Sequence, residues 1–252
     1  MTEAFSQFPK VRPHLPKEIE EIYATHYKSN REGGTAAASL SQRLEAWMHK
    51  KVAADVAARP QSGKSTLEIG AGTLNQLQYE PDVGIYDIIE PFKELYSGSP
   101  QLPRIRSIYT DIAEVPADRR YDRITSVATF EHILNLPEVV ARAALLLAPG
   151  GTLRTAIPSE GTVLWTLGWK LTTGLEFRMK YGLDYGQLMR HEHVNQAREI
   201  REVLAYFFDD VDGACFGVAN ALSLYQFYSC SRPNIDKCRA YLARQGKVVR
   251  AA

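Results

Sequence analysis

The sequence predicts an α/β fold, with short strands and helices alternating through one large domain. Three observations point to it. Apolar runs of strand length recur at residues 67–69, 84–90, 105–112, 121–132 and 152–158. The first of them breaks into a glycine loop, Leu67-Glu68-Ile69-Gly70-Ala71-Gly72-Thr73-Leu74-Asn75, as a strand does when it turns tightly into a helix. A chain of 252 residues, 45% hydrophobic and 23% charged, has the size and composition of a soluble globule with one α/β domain and additions.

The elements follow in order. Residues 1–16 hold three prolines and no periodic apolar face, so the chain opens as an extended or mobile arm. Residues 17–27 and 40–58 read as helices, the second with Leu44, Trp47 and Met48 near an i, i+3, i+4 stripe. The loop between them, residues 27–34, is polar and hinged on Gly33 and Gly34. Ser62-Gly63-Lys64-Ser65-Thr66 looks like the end of a phosphate-binding loop. However, it precedes a strand instead of following one, and Ala58 stands where that loop needs glycine, so it reads as a turn. The strand at 84–90 is stopped by Pro91, the one at 105–112 carries Asp111 near its end, and the one at 121–132 ends in Glu131-His132. A helix at 137–148, a turn at Pro149-Gly150-Gly151 and a strand at 152–158 come next. Residues 160–195 are rich in aromatics and glycines. There Trp165 and Trp169, four apart, are expected to pack a helix onto the core. Residues 196–208 form an amphipathic helix with Ile200, Val203, Leu204 and Phe207 on one face. Residues 212–218 and 223–230 are the last strands, and a short basic helix follows Pro233.

The glycine loop implies an adenosine-type cofactor. Glycines let the backbone pass close to a ligand, and Glu90 at the end of the next strand is placed to accept from ribose hydroxyls. A dinucleotide site wants a third glycine where Asn75 stands, and an acid such as Glu68 repels a diphosphate. The same acid suits a cofactor with an ammonium and a sulfonium. The pattern of an acid, any residue, Gly, any residue, Gly resembles motif I of the class I S-adenosylmethionine-dependent methyltransferases. Glu90, Asp111, Glu131-His132 and Pro149-Gly150-Gly151 follow in that family's order, so the resemblance spans residues 67–159 and extends more weakly to Cys230.

The resemblance implies a Rossmann-like seven-stranded sheet in the order 3-2-1-4-5-7-6 with the last strand antiparallel. It implies an N-terminal arm and helical lid over residues 1–60, a cofactor-binding methyltransferase domain over 61–252, and a substrate-covering insertion at 160–195. The cofactor is S-adenosyl-L-methionine, leaving as S-adenosyl-L-homocysteine. The expected cofactor-binding residues are Glu68, Gly70, Ala71, Gly72, Leu74, Asn75, Glu90, Pro91, Asp111, Ile112, Thr129 and Phe130, with Asp111 accepting from the adenine amino group. His132, at the end of the fourth strand, is the leading general base, followed by His191 and His193. Glu131, Tyr181, Tyr185, Arg190, Lys28 and Arg31 are expected to meet the acceptor. His191 and His193 alternate, so in an extended segment they share a face opposite Glu192. They read as a metal pair, as a base with its orienting partner, or as a hydrogen-bonded hinge. No third ligand stands at a recognised spacing, and no metal is expected.

The expected reaction is methyl transfer to a small-molecule acceptor, with a hydroxyl favoured. Lys28-Ser29-Asn30-Arg31 and His191-Glu192-His193-Val194-Asn195 are similar to segments of bacterial methyltransferases of glycan assembly, which implies a sugar or glycan-pathway acceptor. A net charge of +1 offers no general attraction to nucleic acid, and Ala128-Thr129-Phe130-Glu131 lacks the Asn/Asp-Pro-Pro-aromatic motif of amino-methylating DNA enzymes. Three cysteines without metal spacing, no signal pattern and no apolar run of membrane length imply a cytoplasmic protein. Two rivals stand beside this reading: a nicotinamide-dependent oxidoreductase, and a cofactor-binding module without catalysis.

Overall fold

A computed structural model describes residues 5–20, 22, 36–82 and 84–251, with side chains described for 5–20, 22, 45–82 and 84–246. Lys28, Arg31 and the loop around them lie outside the described residues. The elements are α1 (Ala36–Ala57), β1 (Thr66–Ile69), β2 (Tyr86–Ile89), α2 (Lys93–Tyr96), β3 (Ser107–Tyr109), β4 (Tyr121–Val127), α3 (Leu136–Leu146) and β5 (Leu147–Pro158). They continue with α4 (Val163–Leu171), α5 (Thr173–Tyr181), α6 (Tyr185–Glu192), α7 (Ala197–Phe207), β6 (Phe208–Ala219), β7 (Leu222–Pro233) and α8 (Ile235–Ala251). No helix among the described residues is long and apolar enough to cross a membrane.

The seven strands lie in the order β3-β2-β1-β4-β5-β7-β6. All neighbours pair in parallel except β7, which is antiparallel to both β5 and β6. This is the expected Rossmann-like sheet. Strand periodicity assigns the two faces. Leu67, Ile69, Ile124, Leu153, Ile157, Tyr228 and Cys230 point into the main core, which α3 and α7 fill with Leu136, Val140, Ala144, Ile200, Val203, Leu204 and Phe207. Ala156 and Phe227, one residue out of phase, meet Met48 and Val52 of α1 on the other face. The expected turn at Pro149-Gly150-Gly151 exists as an irregularity within β5, where pairing with β4 jumps from Tyr121↔Leu147 to Arg123↔Thr152.

Beneath α1 lies a buried ionic network. Arg123, fully buried, reaches Glu80 at 2.7 Å and Asp55 at 3.0 Å, and Arg154 shares Asp55 at 3.2 Å. Charges taken out of water need partners of this kind. The network ties α1 to β4, β5 and the turn before β2.

The arm's described residues turn at Phe5–Gln7, run on to Pro16 without helix or strand, and are docked. Phe8 and Leu15 are buried, the Lys10 ammonium donates to the Val194 carbonyl at 2.8 Å, and Lys10 pairs with Glu199 at 2.6 Å. Residues 160–195, whose secondary structure the sequence leaves open apart from one packed helix, form three short helices, α4 to α6.

Candidate active site

At the carboxyl end of β1 the chain must clear a close neighbour. Gly70 sits at φ +72°, and a Cβ there would lie 2.3 Å from the Thr129 side chain, so only glycine fits. Gly72, at φ +53°, has nothing within 4 Å of where its Cβ would stand, so open space lies over the loop. Glu90 closes this loop: its carboxylate accepts from the Gly72 N–H at 2.8 Å and from the Phe92 N–H at 3.0 Å. Asp111 accepts from the Ala113 N–H at 2.7 Å and is otherwise exposed. The Thr129 hydroxyl donates to the Val127 carbonyl at 3.0 Å. Among the remaining cofactor expectations, Pro91 is exposed, Asn75 opens a 3-10 turn, and Ala71, Leu74, Ile112 and Phe130 are buried apolar residues. The Phe92 ring, 57% exposed beside Glu90, was not anticipated; its only sequence signal is its place after the acid and Pro91.

Glu68 departs from expectation. Its side chain lies within the sheet, where it accepts a hydrogen bond from the Tyr86 hydroxyl at 2.9 Å. Burial lifts its pKa from 4.5 to about 8, so at neutral pH it is uncharged and offers no anion to an ammonium. The reason is register. Glu68 points to the face opposite Leu67 and Ile69, where Leu74, Leu77 and Tyr86 exclude water.

The carboxyl end of β4 gathers the titratable groups. His132 closes the turn Phe130–His132, and its Nδ1–H donates to the Glu192 carbonyl at 2.9 Å. His193 directs Nδ1 to the Glu160 carboxylate at 2.8 Å, and the Trp165 indole N–H donates to the same oxygen. Trp165 thus reaches the site as well as packing against Tyr225. The two imidazoles meet edge to face with centroids 4.9 Å apart. Glu131 is 1% exposed, its Oε2 has no hydrogen-bond partner, and its Oε1 lies 3.8 Å from His132 Nε2. Burial raises its pKa from 4.5 to about 7 against the opposing pull of His132.

Partners that only accept assign the proton of each histidine to Nδ1, so a neutral ring keeps its lone pair on Nε2. Two such nitrogens and an unpartnered carboxylate oxygen make a cluster that only accepts when Glu131 is ionised. It suits a hydroxyl proton, and two imidazoles with one carboxylate also suit a divalent metal. Glu131, His132 and His193 are, among the described residues, the group of three potential ligands within 4.8 Å of one another.

Long-range contacts hold the cluster. Asn195, fully buried, donates to the Phe130 carbonyl at 2.8 Å and to that of Ile133 at 2.7 Å. The Arg12 guanidinium donates to the carbonyls of His132 at 3.0 Å and His191 at 2.9 Å, bridging the end of β4 and the end of α6. His191 does not join the cluster, because its Nδ1–H donates to the Pro13 carbonyl at 2.7 Å. The expected shared face of His191 and His193 is absent: the segment is the end of a helix, where residues two apart diverge by about 200°. Tyr181 and Tyr185 pack on Phe177, and Arg190, 67% exposed, faces Asp184.

A family model described as a methyltransferase domain matches residues 40–205, more than half of the chain. No curated protein matches it. Among solved structures it is similar to the CurJ carbon methyltransferase, at 22% identity and a TM-score of 0.50, over 73% of this chain and 53% of that one. The chain therefore spans about half the length of that relative. It is also similar to a possible histamine N-methyltransferase from Thermotoga maritima, at 12% identity and a TM-score of 0.52, over 85% of this chain and 99% of that one. The plantazolicin methyltransferase BpumL, in complex with a monoazolic desmethylPZN analog and SAH, matches at 13% identity and a TM-score of 0.52, over 85% and 96%. At such identities the likeness is one of fold.

Proposed function

This chain belongs to the methyltransferase-domain family, and we propose that it moves a methyl group from S-adenosyl-L-methionine to a hydroxyl oxygen of a small-molecule acceptor. The carrying observation is the Glu131–His132–His193 cluster, which with Glu131 ionised has lone pairs and no donor, just past the strand β4 and next to Thr129, which packs on Gly70. A hydroxyl is the acceptor group that donates into such a cluster.

The loop fits the cofactor. The open space over Gly72, the carboxylates of Glu90 and Asp111 and the exposed ring of Phe92 suit a nucleoside with ribose donors, an adenine amino group and a flat face. When bound, the cofactor supplies an electrophilic methyl group on a sulfonium. The chain's own residues do the rest. His132 Nε2 accepts the acceptor's proton, and the adjacent Glu131 carboxylate, poised near neutrality, stabilises the imidazolium. Glu160 holds His193 in the tautomer that leaves Nε2 as an acceptor, and Arg12 and Asn195 fix the strand end. A sugar or glycan-pathway intermediate, with its many hydroxyls, is the acceptor class this arrangement favours.

The test has two stages. Calorimetric titration with S-adenosylhomocysteine and with NADH reads the cofactor, and binding of NADH alone would overturn the reading. Labelled-methyl transfer to glycan, lipid and metabolite extracts reads the acceptor. Cofactor binding with no labelled product across those pools would leave a binding module instead of an enzyme.

A further inference from the structure

Helices α4 and α5 carry large apolar side chains that are exposed among the described residues. Val163, Leu167 and Leu171 recur at i, i+4 on one face of α4 and are 66%, 48% and 70% exposed. Leu175 and Met179 repeat the spacing on α5 at 52% and 80%. None of the nine residues of α4 is buried. The β6–β7 tip lies alongside, with the Thr162 hydroxyl donating to the Ser223 carbonyl and Gly168 against Leu224, and it adds exposed Val218 and Leu222. Apolar surface concentrated in this way marks an interaction site.

Its chemistry points to one partner. The exposed charges on the two helices are Lys170, Arg178 and Lys180 against the single acid Glu176. Lys170 lies over the Trp169 ring and Lys180 over that of Tyr181. Aliphatic side chains bordered by cations are the make-up of a helix lying in the lipid headgroup region. Protein interfaces are anchored instead by Trp, Tyr and Arg, with Leu and Val under-represented among their dominant residues. Here both tryptophans turn inward, Trp165 to Glu160 and Trp169 to Tyr185.

We propose that the outer face of α4 and α5, with the β6–β7 tip, docks on an anionic phospholipid surface. The docking stands apart from the reaction. One consequence rests on the methyl-transfer reading: Trp165, on the other side of α4, borders the cluster, so a docked protein presents its acceptor end to the membrane and takes an amphiphilic acceptor.

Vesicle co-sedimentation of the full chain tests it, with phosphatidylcholine alone and with added phosphatidylglycerol. Binding is expected to the anionic vesicles and to fall with salt. Leu171→Glu/Met179→Glu is expected to weaken it at least about tenfold, and Lys170→Ala/Lys180→Ala about thirtyfold on anionic vesicles alone. These side chains are exposed, so both variants are expected to keep their circular dichroism and S-adenosylhomocysteine affinity, which separates lost docking from lost folding. No vesicle binding by the wild type, or binding unchanged in both variants, overturns the proposal. So does a dimer, seen by light scattering, that Leu171→Glu/Met179→Glu dissolves, which would make the face an interface between copies. Labelled methyl recovered only in water-soluble products, with docking intact, overturns the amphiphile and leaves the docking standing.

Discussion

Replacing Glu131 by glutamine is expected to stabilise the protein at high pH while disabling it. Folding buries this carboxyl completely and leaves Oε2 without a partner, and its pKa rises from 4.5 to about 7. A raised acid pKa means that the folded protein prefers the neutral form. Its stabilising contribution is therefore complete below pH 4.5 and is lost as the pH climbs through about 7. A shift from 4.5 to about 7 corresponds to about 3 kcal/mol of ionisation penalty by the high-pH limit. Glutamine keeps the shape and does not ionise. Whatever constant offset its amide brings, the stability difference between variant and wild type grows with pH in the variant's favour and levels off above the transition.

Denaturant unfolding of both proteins, measured from about pH 5 to about pH 9, reads this difference directly. Labelled-methyl transfer reads the other half. On the proposed mechanism, losing the Glu131 carboxylate is expected to cost about 10²- to 10⁴-fold in kcat and to remove the limb of the pH–rate profile near neutrality. Parallel stability curves would show that the carboxylate is comfortably ionised in the folded state, and the argument for its role would fail. A variant that gains stability and keeps its rate would sink the catalytic part alone.

Three further outcomes are expected. Gly70→Ala drives a Cβ to 2.3 Å from Thr129 and should destabilise the fold, whereas Gly72→Ala meets open space and should cost about 1 kcal/mol, yet it should abolish S-adenosylhomocysteine binding in a titration. Full affinity in Gly72→Ala would place the cofactor elsewhere. Arg123→Met leaves Glu80 buried without its partner and should cost about 3–5 kcal/mol in denaturant unfolding, with part recovered by adding Glu80→Gln; a cost under about 1 kcal/mol would show that the network relaxes. Chelation should leave methyl transfer unchanged, and a loss restored by a divalent cation would turn the cluster from a proton acceptor into a metal site.

The sheet was legible because its landmarks sit where strands end. Gly70, Pro91, Asp111 and Glu131 interrupt apolar runs at or just past the points where the backbone must turn, and turning is a local demand; Pro149-Gly150-Gly151 marks instead an irregularity inside β5. The cluster was half legible. His132 and His193 stood out as residue types, but their approach depends on α6, whose helical register turns His191 away to Pro13. Arg12 and Lys10 were illegible because their partners lie 120 or more positions away. Arg123 misleads for another reason. A charge in a strand reads as the solvent face of an alternating pattern, and only the packing of α1, which brings Asp55 onto that face, makes it an interior.

The backbone explains why the anchors matter more than the local sequence. Ala128 is held at φ 49°, a conformation that costs a non-glycine residue about 1–2 kcal/mol, and it is the residue at which the chain leaves β4 and folds back into the turn carrying Glu131 and His132. Locally, the Thr129 hydroxyl spans that residue by donating to the Val127 carbonyl at 3.0 Å, but Thr129 makes no capping bond to the turn that follows. Further support comes from elsewhere, from the two carbonyls that Asn195 ties down and the third that Arg12 holds. The cluster's geometry is thus set by the end of the insertion and by the N-terminal arm acting together on one strained corner. A change at Asn195 or Arg12 is expected to move Glu131 and His132 through the backbone carbonyls it releases, without altering either side chain, which would make the two of them positioning residues of the proposed site.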